Sequence, residues 1–251
     1  RENPWFHPPP LLGVDICRFL IIDGDILEIP RTESHRISQT LNEEGVFSGG
    51  GYDDFHEAGE NQLNTLLHFG LQPSSRVLDI GCGCLRGGRW VIPFLDRNCY
   101  FGIEPNEEML DAGKRIVIGQ ETMSEKAPMF DTNQEFDFGV FDAIFDYVIA
   151  RSVWTHASKD QIEKMLDQFV LYSNEHSVFL TSYLKPRIPI IDDYRGKRWV
   201  GKSHESDQPG IARHSLWWIR KICRKRNLRV TRIDDPELNY RAQVWLKISR
   251  L

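Results

Sequence analysis

Two short clusters of side chains carry chemistry that a fold alone does not require. The first is the run Val77-Leu78-Asp79-Ile80-Gly81-Cys82-Gly83-Cys84-Leu85-Arg86-Gly87-Gly88, followed downstream by Tyr100-Phe101-Gly102-Ile103-Glu104. Gly81 and Gly83 have no Cβ, so a ligand can lie against bare backbone in this turn. Glu104, at the end of the next apolar run, is placed to accept hydrogen bonds from both hydroxyls of a ribose, as acids do in other open α/β sheets. The second cluster is Arg151-Ser152-Val153-Trp154-Thr155-His156, directly after the apolar run Phe145–Ala150. It delivers Arg, Ser, Trp, Thr and His to one strand end, a polar mouth that solubility does not call for. His156 is the natural base, because an unperturbed imidazole titrates at about 6.5.

Such residues need a sheet to hold them, and the rest of the chain supplies one. Apolar runs predict strands at 76–80, 100–104, 145–150 and 178–183, with a less distinct one at 129–133. Continuous rather than alternating apolarity in 145–150 is the mark of a strand buried on both faces. Helical spacing predicts helices at 53–70, 87–95, 159–172 and 215–226, with a further one after Pro105 that Asn106 caps and Glu107 and Glu108 favour electrostatically. Strands at 229–233 and 242–248 close the chain. Strands alternating with helices predict α/β architecture: a Rossmann-like, seven-stranded, mainly parallel sheet with helices on both faces. In such sheets ligands sit beyond the carboxyl ends of the strands, where both clusters fall.

Residues 1–48 stand outside this pattern as an N-terminal extension. Pro8-Pro9-Pro10 is stiff and extended, and two apolar runs around Asp23-Gly24-Asp25 predict a β-hairpin. Gly49-Gly50-Gly51 reads as a flexible joint to the domain over 49–251. The segment 52–57 reads either as a flap over the pocket, through Tyr52 and His56, or as an ordinary helix start. Residues 184–214 form a long insertion rich in charge and rings, suited to binding a polar acceptor.

The glycine run and Ile103-Glu104-Pro105-Asn106 resemble the first two motifs of the class I S-adenosylmethionine-dependent methyltransferases, and 151–156 resembles that family's motif after its fourth strand. A dinucleotide site is the rival, but Arg86 occupies the place of its third glycine and cannot give the close helix–sheet packing. The resemblance covers roughly 52–250. It implies S-adenosyl-L-methionine as cofactor, held by Asp79, Gly81, Cys82, Gly83, Glu104 and Pro105. Glu135 and Phe136, after the third predicted strand, would recognise the adenine, and Arg151 and Ser152 would lie beside the methyl group. Asp79 would also orient the glycine loop through backbone hydrogen bonds. His156 then acts as general base, which tilts the acceptor towards a hydroxyl. Trp154, Tyr183, Tyr194, Trp199, His204 and His214 are the candidate acceptor-binding residues. The expected reaction is O-methylation of a small polar, sugar or sugar-containing metabolite. The alternatives are an RNA or protein methyltransferase and a non-catalytic module of a larger assembly.

Composition agrees with an enzyme of this kind. The 251 residues carry a formal net charge of −5, with 41% hydrophobic and 27% charged residues, as in a soluble globular domain. That balance argues against a dedicated nucleic-acid binder. The basic strip Arg220, Lys221, Arg224, Lys225, Arg226, Arg229 and Arg232 reads as the solvated face of a helix whose other face, including Trp217, is core. No apolar run reaches the ~20 residues that span a bilayer. Five cysteines, an odd number without paired spacing, fit a reducing, cytoplasmic setting. Cys82 and Cys84 read as small residues filling a turn, Asp192-Asp193 alone is too few donors, and no metal is expected. The start, Arg1-Glu2-Asn3-Pro4, suggests a segment of a longer or processed polypeptide.

Overall fold

The computed structural model describes residues 20–22, 25–27, 29–201 and 210–251. At the N-terminal side, β1 (Leu20–Ile22) and β2 (Asp25–Leu27) pair antiparallel with Ile21 opposite Ile26, the predicted hairpin. The main sheet contains β3 (Val77–Ile80), β4 (Tyr100–Ile103), β5 (Met129–Asp131), β6 (Phe145–Ala150), β7 (Ser173–Leu184), β8 (Leu228–Arg232) and β9 (Gln243–Arg250). Their order is β5-β4-β3-β6-β7-β9-β8, and β9 alone runs against its neighbours. The chain moves outward from β3 through β4 to β5, then crosses back to place β6 on the other side of β3. That reversal opens a crevice at the carboxyl ends of β3 and β6.

Helices cover both faces, as predicted. On one face α6 (Lys159–Leu171) and α7 (Leu216–Arg224) bury Phe169, Ile219 and Ile222 against Phe145 and Phe179 of the sheet. On the other, α2 (Tyr52–His68) and α3 (Gly88–Phe94) bury Leu63, Leu66, Trp90 and Val91 around Val77, Ile149 and Trp245. Local sequence sets the helix starts. Ser158 and Gln161 form a reciprocal cap on α6, with the Ser158 N–H donating to Gln161 Oε1 at 2.8 Å. Asn106 Oδ1 accepts from the Met109 N–H at 3.0 Å and starts α4 (Glu107–Ala112), as expected. A π-helical segment, Gly113–Ile118, and α5 (Gln120–Lys126) complete the connection to β5.

Three features depart from the sequence expectations. Residues 31–43, given no element above, form α1 (Arg31–Glu43). Its only buried apolar side chains are Ile37 and Leu41, which pack on Phe55 and Met109, so the apolar stripe is too thin to announce a helix. Polar contacts hold it instead. Ser34 Oγ lies 2.8 Å from His56 Nδ1 and accepts from Arg89 Nη1 at 2.9 Å, and Arg89 pairs with Glu33 at 3.1 Å. His56 is thus a buried brace between helices and not a flap. Second, Gly49-Gly50-Gly51 is fastened at both ends: Arg86 Nη1 donates to the Gly49 carbonyl at 2.9 Å, and the Gly51 N–H to Asp54 Oδ2 at 3.0 Å. Third, Trp217 is 62% exposed, while Trp218 takes the core side of α7. Beyond Leu184, the last residue of β7, the insertion has neither helix nor strand among its described residues.

Candidate functional site

The turn after β3 holds a shape that only glycine accepts easily. Gly81 and Gly83 have φ of +66° and +59°, and a Cβ on Gly81 would come within 2.8 Å of Val153 Cγ2. Val153 belongs to the segment after β6, so the two motifs interlock. The N–H groups of Gly81 and Cys82 both donate to the Ile103 carbonyl, at 2.8 and 3.2 Å. Glu104 finishes the tie: Oε2 accepts from the Gly83 N–H at 2.9 Å and Oε1 from the Asn106 N–H at 3.0 Å. Burial raises the Glu104 pKa, and the two backbone donors oppose that shift.

Asp79 does a different job from the one expected. Its carboxylate accepts from the Tyr100 hydroxyl at 2.8 Å and makes no bond to the glycine turn. It is 4% exposed, lies outside the cavity lining, and burial pushes its pKa up to about 7. Cys82 and Cys84 are also buried free thiols; burial pushes Cys84 up to about 11 and Cys82 well above its usual value, so both pack as neutral groups.

Two adjoining cavities open at the carboxyl ends of β3, β4 and β6, of about 260 Å3 and about 490 Å3. They share Gly81, Val153 and Trp199 as a common wall. The first is lined by Cys82, Gly83 and Glu104 on one side and by Arg151, Ser152 and His156 on the other. The second is lined by Ile103, Pro105, Asn106 and Phe136.

The segment after β6 is a helical turn, in which the N–H groups of His156 and Ala157 both donate to the Val153 carbonyl at 3.0 Å. Helical spacing sends Ser152, Val153 and His156 to the cavity. Trp154, one step round, enters the core edge-on to Phe179 and is 1% exposed. It is therefore not an acceptor residue. Ser152 sits at φ +63°, an unusual conformation for a non-glycine residue. A local network holds it there: its N–H donates to Ser182 Oγ at 2.8 Å, and its hydroxyl donates to Gln243 Oε1 at 3.1 Å.

His156 Nδ1 lies 2.8 Å from the Val200 carbonyl. A carbonyl only accepts, so Nδ1 carries the hydrogen and Nε2 holds the lone pair of the neutral ring. The Trp199 ring stacks on His156 at 5.5 Å between centroids and 30° between planes. Main-chain bonds from Val200 N to His156 O (2.9 Å) and from Ala212 N to Thr155 O (2.7 Å) seat the insertion on this turn.

Arg151 is 7% exposed. Nη2 donates to the Tyr240 carbonyl at 3.2 Å, and the guanidinium lies 5.1 Å from the Trp245 ring. Nε and Nη1 are buried without a hydrogen-bond partner.

Other expected site residues are elsewhere. Glu135 is an exposed acid paired with Lys164 of α6 and lines neither cavity; Gln134 and Phe136, two apart in the chain, line the second. Tyr183 is 2% exposed and buried in the α6–α7 core, because β7 turns Ser182 to the site and its neighbour away. Tyr194 donates to the Arg198 carbonyl at 2.7 Å and lines neither cavity. His214 is 1% exposed, with Nε2 2.9 Å from the Ala157 carbonyl and its ring against Trp218. His204 lies outside the described residues. Asp192 accepts from Lys159 and from the Ser215 N–H, so it caps α7 and tethers the insertion.

Sequence reasoning also missed lining residues: Gln62 of α2, Ser48 before it, Arg86 and Gln243. Only Arg86 left a signal, as a long cation in a turn otherwise built of small residues.

No protein-family model matches this chain. Solved structures do resemble it. Magnesium protoporphyrin IX methyltransferase from Synechocystis PCC 6803, with bound S-adenosylmethionine, superposes with a TM-score of 0.57 at 15% identity, covering 87% of this chain and 97% of that one. The S-adenosylhomocysteine complex of DhpI gives 0.57 at 13% identity, over 88% and 96%. The glycopeptide N-methyltransferase MtfA with S-adenosylmethionine gives 0.57 at 12% identity, over 77% and 94%. This chain has the class I S-adenosylmethionine-dependent methyltransferase fold.

Proposed function

We propose that the protein binds S-adenosyl-L-methionine and transfers its methyl group to a hydroxyl of a small polar acceptor, a sugar or sugar-containing metabolite, with His156 as general base. One observation carries this reading: the glycine turn, Glu104 and His156, the last held through Nδ1 by the Val200 carbonyl, line a single cavity. The neighbouring cavity offers Pro105, Phe136 and Gln134 to a base. Three structural neighbours solved with S-adenosylmethionine or its demethylated product support the same ligand.

The residues fit such a nucleoside. The crowding a Cβ on Gly81 would meet shows a cradle closed to side chains, and Glu104 provides an acid for the ribose diol. When bound, S-adenosyl-L-methionine supplies a methyl group already activated by its sulfonium. The protein's task is alignment and exclusion of water, and alignment alone is worth ~7–11 kcal/mol of barrier. Trp199 and Val153 line both cavities. His156 would take the acceptor proton at Nε2, while the Val200 carbonyl stabilises the resulting imidazolium through Nδ1–H. A hydroxyl needs that base more than an amine does.

Calorimetry with S-adenosylhomocysteine tests the first half of the proposal: binding in the wild type, weakened in Glu104→Ala, is expected. Absence of binding to the wild type would sink it.

A further inference from the structure

Among the described residues, two arginines drawn into the fold are answered by acids, and Arg151 is not. Arg89, 6% exposed, has Glu33 at 3.1 Å, and Arg226 has Glu163 and Asp167. Arg151 is as deeply buried, yet no acid lies within ion-pair distance of it among the described residues. Burial and the charge of another cation, Arg86, push its pKa down to about 9, which leaves it charged at neutral pH. The Trp245 and Tyr240 rings, 5.1 and 6.0 Å away, offset only part of the cost of burying it.

Arg151 and Arg86 both line the first cavity. Arg86 is itself committed at Nη1 to the Gly49 carbonyl and feels the Asp54 charge. The only carboxylate among the described lining residues, Glu104, accepts from the Gly83 and Asn106 N–H groups. The cavity wall is therefore cationic on the Arg151 side. On the reading proposed above, a sulfonium adds further positive charge. A neutral acceptor would leave that charge uncompensated. Arg195, Lys197 and Arg198, exposed around Trp199 of the cavity lining, extend the positive field outward.

We propose that Arg151, with Arg86 beside it, is a carboxylate receptor: the ligand filling this cavity places an acid group against the Arg151 guanidinium. Planar, charge-assisted recognition of a carboxylate is what arginine does best, and the desolvated setting strengthens it. Two molecules can bring the acid, the amino-acid end of the cofactor or an acidic acceptor such as a uronic acid. The inference rests on the methyltransferase reading only in naming the first of these.

The experiment is calorimetry on the wild type and Arg151→Gln with three probes. S-Adenosylhomocysteine carries the carboxylate, and 5′-methylthioadenosine is the same thioether nucleoside without it. D-Glucuronate is compared with D-glucose in the presence of saturating nucleoside. If the acid is the cofactor's, Arg151→Gln weakens S-adenosylhomocysteine by at least about 30-fold and leaves 5′-methylthioadenosine unchanged. If it is the acceptor's, S-adenosylhomocysteine holds, and the wild-type preference for glucuronate over glucose disappears. If neither carboxylate probe responds, the receptor assignment is overturned. A wild type that binds neither nucleoside overturns the methyltransferase reading instead, and the glucuronate arm, run then without nucleoside, still decides this one. Should Arg151→Gln fail to fold, Arg151→Lys serves in the same arms: it keeps the charge and loses the planar fork, so only carboxylate-bearing probes weaken.

Discussion

The two walls of the first cavity solve opposite problems. On the glycine side every named polar group is satisfied internally: Glu104 by the Gly83 and Asn106 N–H groups, and the turn's own N–H groups by the Ile103 carbonyl. On the side after β6, Arg151 keeps two nitrogens unpartnered, Ser152 is held at φ +63°, and His156 is fixed in one tautomer. One wall is a rigid cradle complete without a ligand. The other holds an unpartnered cation and a strained backbone. Binding sites commonly divide in this way, with recognition on the preformed part and chemistry on the strained one.

That contrast can be broken by experiment. The largest effect is expected on the strained side: His156→Ala should lower methyl transfer by about 10^2–10^4-fold, the usual range for losing a general base, with little change in S-adenosylhomocysteine affinity. Equal losses in rate and affinity would make His156 a packing residue. On the cradle side, Glu104→Ala should weaken S-adenosylhomocysteine by about 10- to 100-fold, as expected for hydrogen bonds to a charged group, with the sheet still folded by circular dichroism. An unchanged affinity removes Glu104 from the site.

Asp79 tests whether the cradle is supported from beneath. Its pKa is raised from 3.8 to about 7, so the folded state holds a proton that the unfolded chain has lost across that interval. Stability against urea should therefore fall as pH rises from about 4 to about 7, and Asp79→Asn should flatten that slope. A slope unchanged by the substitution would place the titrating group elsewhere. The smallest effect belongs to Glu135→Ala, which removes only an exposed ion pair with Lys164: less than about 1 kcal/mol of stability and no change in nucleoside binding. A clear loss of binding would return Glu135 to the adenine pocket.

Much of the cradle was readable from residue order, because its parts are local. A strand, a glycine turn and a cap occupy consecutive residues, and φ preference and apolar runs act over that range. The acceptor side was only half readable. Arg151, Ser152 and His156 were correctly grouped, but Trp154 was grouped with them because the segment was read as one polar mouth and not as a helical turn with two faces. Glu135 was placed at the adenine through the family resemblance, whereas the second cavity is lined by Gln134 and Phe136, two apart in the chain. Tyr183 and His214 have side chains that suit a binding site, and both went to the core.

The amino-acid order by itself determined the seven-stranded α/β sheet, the glycine turn and the acid at the end of β4, because periodicity, capping and backbone freedom are properties of neighbours. Only the tertiary structure decided that Ser48, Gln62 and Gln243 meet at one cavity, that α1 is braced through His56 and Arg89, and that Arg151 is buried with two nitrogens unpartnered among the described residues. Those facts depend on which distant segments share a space, and a buried charge is costly or not according to what else the fold brings within reach of it.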